Sequence, residues 1–104
     1  MNKLLSVIIP VYNTEKYLER CLKSVLAALP ENSEVLIIND GTKDNSEKII
    51  LKYKEKYPGI IEYYKKENGG LSDTKNYGLE RSKGEYISVI DSDDWIAPNM
   101  YVDI

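Results

Sequence analysis

Three aspartates lie within four residues in the segment Asp91-Ser92-Asp93-Asp94-Trp95. Carboxylates this close repel one another unless a cation neutralises them. Two of them spaced i, i+2 can reach one hard cation and leave it open positions for water and phosphate oxygens. Because the chain contains no histidine, any metal must be held by oxygen, which favours magnesium, manganese or calcium. The alternative is a solvated turn whose aspartates cap a helix, and we favour the metal site.

Two further segments carry groups that suit a nucleotide base. Asn39-Asp40-Gly41-Thr42 is either a helix-entry turn, since Asp-Gly is a common turn dipeptide, or it presents Asp40 as an acceptor for the imide N–H of uracil or thymine. Pro10-Val11-Tyr12-Asn13 either packs over a strand end or offers the Tyr12 ring to a base. This segment has no glycine, so it does not form the Gly-x-Gly-x-x-Gly turn of dinucleotide-binding domains.

The lysines of the chain suggest one functional position and a solvated surface. Gly69-Gly70 precedes a predicted helix whose N-terminal amides favour anions, and Lys75 on its first turns is placed to reach a diphosphate, although it also fits an ordinary solvent-facing lysine. The remaining clusters are interleaved with glutamates and predict a solvated mixed-charge surface: Lys52, Lys54, Lys56, Lys65 and Lys66. The net charge of −3 excludes the basic field that nucleic-acid binding requires.

Four short apolar runs alternate with three amphipathic segments, which is typical of βαβ units and a mainly parallel sheet. The predicted strands are Leu5–Ile9, Val35–Ile38, Ile60–Tyr64 and Tyr86–Ile90, and the predicted helices are Glu15–Leu29, Ser46–Tyr57 and Ser72–Ser82. We expect Ser72 to cap the third helix and Gly84 to end it. The pattern predicts a Rossmann-like α/β/α fold, in which ligands bind beyond the carboxyl ends of the strands.

Length and composition indicate one globular domain. The chain has 104 residues, of which 42% are hydrophobic and 30% charged. Its one cysteine, Cys21, fits a reducing compartment and a buried apolar position. The apolar run after Lys3 is interrupted by Pro10 and is far shorter than the ~20 residues of a membrane span. We therefore expect a cytoplasmic protein without a transmembrane segment, with peripheral association at the inner membrane face as an open alternative.

Taken together and in this order, the motifs resemble those of the family 2 glycosyltransferases with the GT-A fold. The resemblance covers nearly the whole chain and rests on four segments: residues 6–13, 38–42, 69–78 and 90–95. It implies transfer of a sugar from a nucleotide-diphosphate donor, with UDP-sugars favoured, to an acceptor hydroxyl with inversion at the anomeric carbon. The acceptor would be a sugar or glycolipid, as in surface polysaccharide or glycoconjugate synthesis.

Position by position, the resemblance implies roles for several residues. Asp91 and Asp93 match the DxD motif that holds a divalent metal, Mn²⁺ or Mg²⁺, on the donor phosphates. Asp94 is a candidate for assisting them in holding the metal. The nucleotide-binding positions are Pro10, Val11, Tyr12, Asp40, Lys75 and Ser92.

Two departures from the family pattern affect the donor site. Asn39 stands where the family commonly has a first aspartate, and Lys75 stands where it usually has arginine. Lysine is a point charge rather than a bidentate fork, so these changes bear on the identity of the donor more than on the reaction class.

The resemblance also implies that the catalytic base lies beyond Ile104, in the half that forms the acceptor pocket. We expect residues 1–104 to be the nucleotide-sugar-binding half, which binds donor but does not transfer sugar by itself. Two alternatives remain open. A metal-dependent sugar nucleotidyltransferase usually has a glycine-rich phosphate loop after the first strand, which this chain lacks. A non-catalytic interaction module would keep the fold without binding nucleotide.

Overall fold

The computed structural model describes residues 3–102, in which strands and helices alternate strictly. The elements are β1 (Lys3–Val11), α1 (Glu15–Ala28), β2 (Ser33–Asn39), α2 (Ser46–Lys56), β3 (Ile61–Lys65), α3 (Leu71–Arg81) and β4 (Gly84–Val89). Every predicted element is present, and its ends differ from the prediction by at most two residues. The apolar periodicity therefore identified the elements correctly.

The four strands form one parallel sheet in the order β3-β2-β1-β4. The inner strands β1 and β2 are buried on both faces, as continuous apolar runs in a covered parallel sheet should be. In the register of β1 and β2, Val11 pairs with Asn39, so the two strands end side by side. The predicted α/β fold with a mainly parallel sheet is confirmed.

Helices cover both faces of the sheet because successive side chains of β1 point in opposite directions. On one face, Val7 and Ile9 belong to the main apolar core together with buried residues of α1 and α2, which are Leu18, Cys21, Leu22, Val25, Ile50 and Tyr53. On the other face, Ile8 lies in a smaller cluster against which Tyr77 of α3 packs. The molecule thus has three layers, with α1 and α2 on one side and α3 on the other.

Two glycines allow backbones and helices to approach closely. A Cβ on Gly78 of α3 would lie 2.7 Å from Ile8 Cγ2, so glycine lets α3 pack directly on β1. A Cβ on Gly84 would lie 2.5 Å from the Ser6 backbone nitrogen. The prediction that Gly84 ends the third helix is therefore wrong, because it is the first residue of β4 and its small size serves strand packing. The predicted cap is also wrong, since α3 begins at Leu71 after Gly70 and no side chain caps it.

The edge strand β4 is the least covered part of the sheet. Tyr86, Ile87 and Val89 are exposed although they are large apolar residues. Within residues 3–102, no helix combines the length and apolarity needed to cross a bilayer.

Candidate donor-binding site

A cavity of about 510 Å³ lies where the carboxyl ends of β1, β2 and β4 meet. The predicted site residues that line it are Pro10, Val11, Tyr12, Asp40, Asp91, Ser92 and Asp93. They come from three segments distant in sequence, and they meet because parallel strands all end at the same edge of the sheet. Five further residues complete the lining: Thr14, Asn68, Gly70, Leu71 and Thr74.

The three aspartates after β4 form a cluster at one wall of the cavity. Carboxylate oxygens of Asp91, Asp93 and Asp94 lie within 4.8 Å of one another, and all three residues are exposed. None of the ion pairs found among residues 3–102 involves them. Oxygen-only donors at this spacing suit a hard divalent cation, so the geometry fits the predicted metal.

The aspartate loop is attached to α1 rather than free in solvent. Thr14 Oγ1 and Ser92 Oγ share a hydrogen bond of 2.8 Å, and Ser92 is 4% exposed. Ser24 Oγ accepts a hydrogen bond from the Ile96 amide at 3.1 Å. On the same side of α1, the Arg20 guanidinium stacks 3.9 Å from the centre of the Trp95 ring. Contacts on both sides of the cluster therefore hold its backbone in place.

Cys21 of α1 lies beside the aspartate loop, and the negative charges of that loop affect its thiol. Its thiol donates to the Asp91 carbonyl oxygen at 3.6 Å. Burial raises the pKa of the Cys21 thiol to about 12, and the charges of Asp94, Asp93 and Asp91 act in the same direction. The thiol therefore stays protonated at neutral pH, and Cys21 is a buried apolar residue, as its position in the helix pattern indicates.

Asp40, at the opposite wall, is 4% exposed and its carboxylate is fully hydrogen-bonded. Oδ1 accepts from Lys66 Nζ at 2.7 Å and from the Gly69 amide at 2.9 Å. Oδ2 accepts from Asn68 Nδ2 and from the Gly70 amide, both at 3.2 Å. Burial by itself raises the pKa of the Asp40 carboxyl, but Lys66 and the two glycine amides outweigh it, so the pKa lies below its ordinary value.

A second hydrogen-bond network joins the loop after β1 to the loop after β2. Asn13 accepts from the Lys43 amide through Oδ1 at 2.8 Å, and its own backbone amide donates to Thr42 Oγ1 at 2.7 Å. Asp44 accepts from the amides of Glu15 and Ser46 at 3.0 and 2.9 Å. The two loops that carry Tyr12 and Asp40 are therefore held together outside the cavity.

Lys75 is the one predicted nucleotide-binding residue that does not line the cavity. On α3, Thr74 is fully buried and lines the cavity. The next residue lies about 100° further round the helix, where Lys75 is half-buried. Its role toward a diphosphate stays a prediction.

The sequence reasoning missed the part that Lys66 plays in the site. The run Lys65-Lys66 was predicted to be solvated, and this is wrong for one of the two lysines. Lys65 is 62% exposed and pairs with Glu47 on α2 at 3.3 Å, whereas Lys66 is 11% exposed and pairs with Asp40. Asn68, directly before the glycine pair, was also missed, although a polar residue beside a predicted phosphate turn is a signal that points to it.

The three-layer fold defines an α/β domain with a cavity at the carboxyl ends of its parallel strands. Comparison with known proteins gives the family: the model "Glycosyl transferase family 2" matches residues 6–102, so the chain belongs to this family. The minor teichoic acid biosynthesis protein GgaB of Bacillus subtilis is 40% identical over 101 residues, which cover 95% of this chain and 11% of GgaB. Glycosyltransferase GlyG of Streptococcus pneumoniae is 37% identical over 96% of this chain and 33% of its own length.

Solved structures agree with this assignment. S. aureus TarS 1–349 in complex with UDP-GlcNAc superimposes with a TM-score of 0.87 at 31% identity, over 96% of this chain and 29% of that one. The mannosyltransferase PcManGT of Pyrobaculum calidifontis, in complex with GDP-Man and Mn²⁺, gives 0.85 at 20% identity over 95% of this chain and 30% of that one, and shows the shared fold. The chain spans a third or less of each of these four relatives.

Proposed function

We propose that this chain is the donor-binding part of an inverting glycosyltransferase that takes its sugar from a UDP-sugar. The observation that carries the proposal is the cavity itself, with an oxygen-only carboxylate cluster at one wall and Asp40 beside Tyr12 at the other. The cluster suits the metal-bound diphosphate and the other wall suits a base. The UDP and UDP-GlcNAc complexes of TarS, which is 31% identical, support this class of donor.

At the base end, Asp40 Oδ2 is the atom we assign to the imide N–H of uracil. Its hydrogen bonds from Asn68 and Gly70 are both 3.2 Å long, whereas Lys66 approaches Oδ1 to 2.7 Å. Asn68 Nδ2 also donates to the Asp40 carbonyl oxygen at 3.1 Å, so it can leave Oδ2 and remain bonded. A base that presents an N–H at this position replaces one of the two longest hydrogen bonds to the Asp40 carboxylate. Cytosine instead presents an acceptor, which the carboxylate repels.

At the phosphate end, Asp91 and Asp93 would hold Mn²⁺ or Mg²⁺, with Asp94 within reach of the same ion. A bound divalent cation supplies positive charge that stabilises the leaving nucleoside diphosphate. Ser92, fixed by Thr14, keeps the two ligand-bearing positions on either side of it in a defined orientation. Pro10, Val11 and Tyr12 form the apolar surface against which the nucleoside packs.

We further propose that the acceptor site and the catalytic base belong to a part of the protein beyond these 104 residues. The relatives are at least three times longer than the matched region, and the exposed apolar side chains of β4 offer a surface for additional chain. The acceptor would be a sugar or glycolipid hydroxyl in surface polysaccharide synthesis, and the reaction would take place on the cytoplasmic side. The 104-residue chain is then expected to bind donor without transferring sugar.

Calorimetric titration of the chain with UDP, with and without Mn²⁺, tests the proposal. We expect UDP binding that Mn²⁺ strengthens, little binding of ADP, and loss of the Mn²⁺ effect in Asp93→Asn. Glu85→Gln, which removes an exposed carboxylate on β4 instead, should behave like the wild type. Absence of UDP binding at millimolar concentration, both in this chain and in the full-length protein, would refute the proposal.

A further inference from the structure

Lys66 is a nearly buried cation whose ammonium group makes three polar contacts within the protein. Its Nζ donates to Asp40 Oδ1 at 2.7 Å and to the Glu67 carbonyl oxygen at 2.8 Å, and it lies 2.7 Å from Asp73 Oδ2. An ammonium group has three N–H donors, so these contacts leave none for a ligand. Lys66 also does not line the cavity. Any effect it has on binding must therefore pass through its partners.

Those partners belong to separate segments of the chain, and one of them, Asp40, lines the cavity. Asp40 follows β2, and Asp73 lies in the first turn of α3. The Asp40 carboxylate in turn accepts the amides of Gly69 and Gly70, and Gly70 is a cavity-lining residue. Lys66 thus connects the end of β2, the loop between β3 and α3, and the start of α3.

Among residues 3–102, Lys66 is the only cation that forms an ion pair with Asp40 or Asp73. Asp40 and Asp73 both lie within 2.7 Å of one nitrogen, so their carboxylates would face each other as like charges if that nitrogen were removed. Asp40 has little water to compensate, since its side chain is 6% exposed. The expected response is that Asp40 takes up a proton more readily, and that the turn of Gly69 and Gly70 moves with it.

We propose that Lys66 is a positioning residue for nucleotide binding, which holds the Asp40 carboxylate ionised and oriented at the base end of the cavity. This inference rests on the proposed donor-binding function, because it assigns Lys66 a part in that same site. Lys66 is expected to influence the affinity for the nucleotide. It should not change the metal affinity of the carboxylate cluster at the opposite wall.

The neighbouring lysine provides a matched control. Lys65 carries the same charge one residue earlier, but it is exposed and pairs with Glu47 on α2 rather than with a cavity residue. Lys65→Met and Lys66→Met therefore make the same change in composition and net charge. A difference between them reports the position of the cation and not the loss of one positive charge.

The experiment compares wild type, Lys66→Met and Lys65→Met by calorimetry with UDP in the presence of Mn²⁺, and with Mn²⁺ alone. We expect Lys66→Met to weaken UDP binding at least tenfold and Lys65→Met to change it less than twofold. Affinity for Mn²⁺ alone should stay within twofold of the wild-type value in both variants. Lys66→Gln, which keeps a hydrogen-bond donor and removes the charge, replaces Lys66→Met if that variant does not fold, and should weaken UDP binding at least fivefold.

A pH series distinguishes positioning from a general loss of structure. The charged groups that face Asp40 are Lys66 beside it, Asp73 behind Lys66, and Asp91 and Asp93 across the cavity. The ratio of wild-type to Lys66→Met affinity should grow from pH 8 to pH 5, because the unpaired Asp40 then protonates more readily. A ratio that stays constant, or equal affinities of the two Met variants, overturns the inference alone. Failure of the wild-type protein to bind any nucleotide overturns the proposed function and this inference with it.

Discussion

Asp44 provides the sharpest test of how the cavity loops are held. Its carboxylate accepts hydrogen bonds from the Glu15 amide at 3.0 Å, the Ser46 amide at 2.9 Å and the Thr42 hydroxyl at 2.8 Å. Burial alone raises the pKa of the Asp44 carboxyl, but these hydrogen bonds outweigh it and lower the pKa from 3.8 to about 2. The folded state therefore prefers the ionised form.

The magnitude follows from that pKa. A shift of one pKa unit corresponds to about 1.4 kcal/mol, so the shift from 3.8 to about 2 is worth about 2.5 kcal/mol. Partial exposure to solvent reduces this to about 1–2 kcal/mol. Because the folded-state pKa is lowered, this stabilisation is complete above the unfolded-state pKa near 3.8 and is lost as the pH falls toward 2. About half of it should be gone at pH 3.

The perturbation is Asp44→Asn, which keeps the shape of the side chain and removes its charge. Urea unfolding should give a free energy of unfolding about 1–2 kcal/mol below the wild-type value at pH 7, and the difference should shrink by about half at pH 3. Glu31→Gln, at an exposed carboxylate, serves as the control and should be neutral at both pH values. Equal stability of Asp44→Asn and wild type at pH 7, or a difference that does not change with pH, would refute the reasoning.

Three other predictions test neighbouring parts of the structure. Gly84→Ala should lower the free energy of unfolding by about 2 kcal/mol or more, because its Cβ would lie 2.5 Å from the Ser6 backbone nitrogen; a neutral result in urea unfolding would contradict this packing. Cys21 should react with a thiol reagent at pH 8 only as fast as the protein opens, since its pKa is raised to about 12; rapid labelling of folded protein would contradict its burial. Thr14→Val should weaken Mn²⁺ binding severalfold by releasing Ser92, which titration with Mn²⁺ measures; unchanged affinity would show that this hydrogen bond does not hold the metal loop.

The sequence by itself determined the order of elements and the location of the cavity. Apolar periodicity is a local property, so strands and helices could be identified segment by segment. Once four strands are parallel, their carboxyl ends must lie at one edge of the sheet, and this brings Tyr12, Asp40 and Asp93 to a single cavity although 81 residues separate the first from the last.

Only the tertiary structure decided what individual side chains do within that frame. Lys65 and Lys66 are the same residue type in adjacent positions, and nothing local distinguishes them. At the end of β3 they point in different directions, so that one pairs with Glu47 beside solvent and the other with buried Asp40. Gly84 likewise looks like a helix end until β4 is placed against β1. These roles depend on groups 18 to 78 residues away in the chain, and only folding brings such groups into contact.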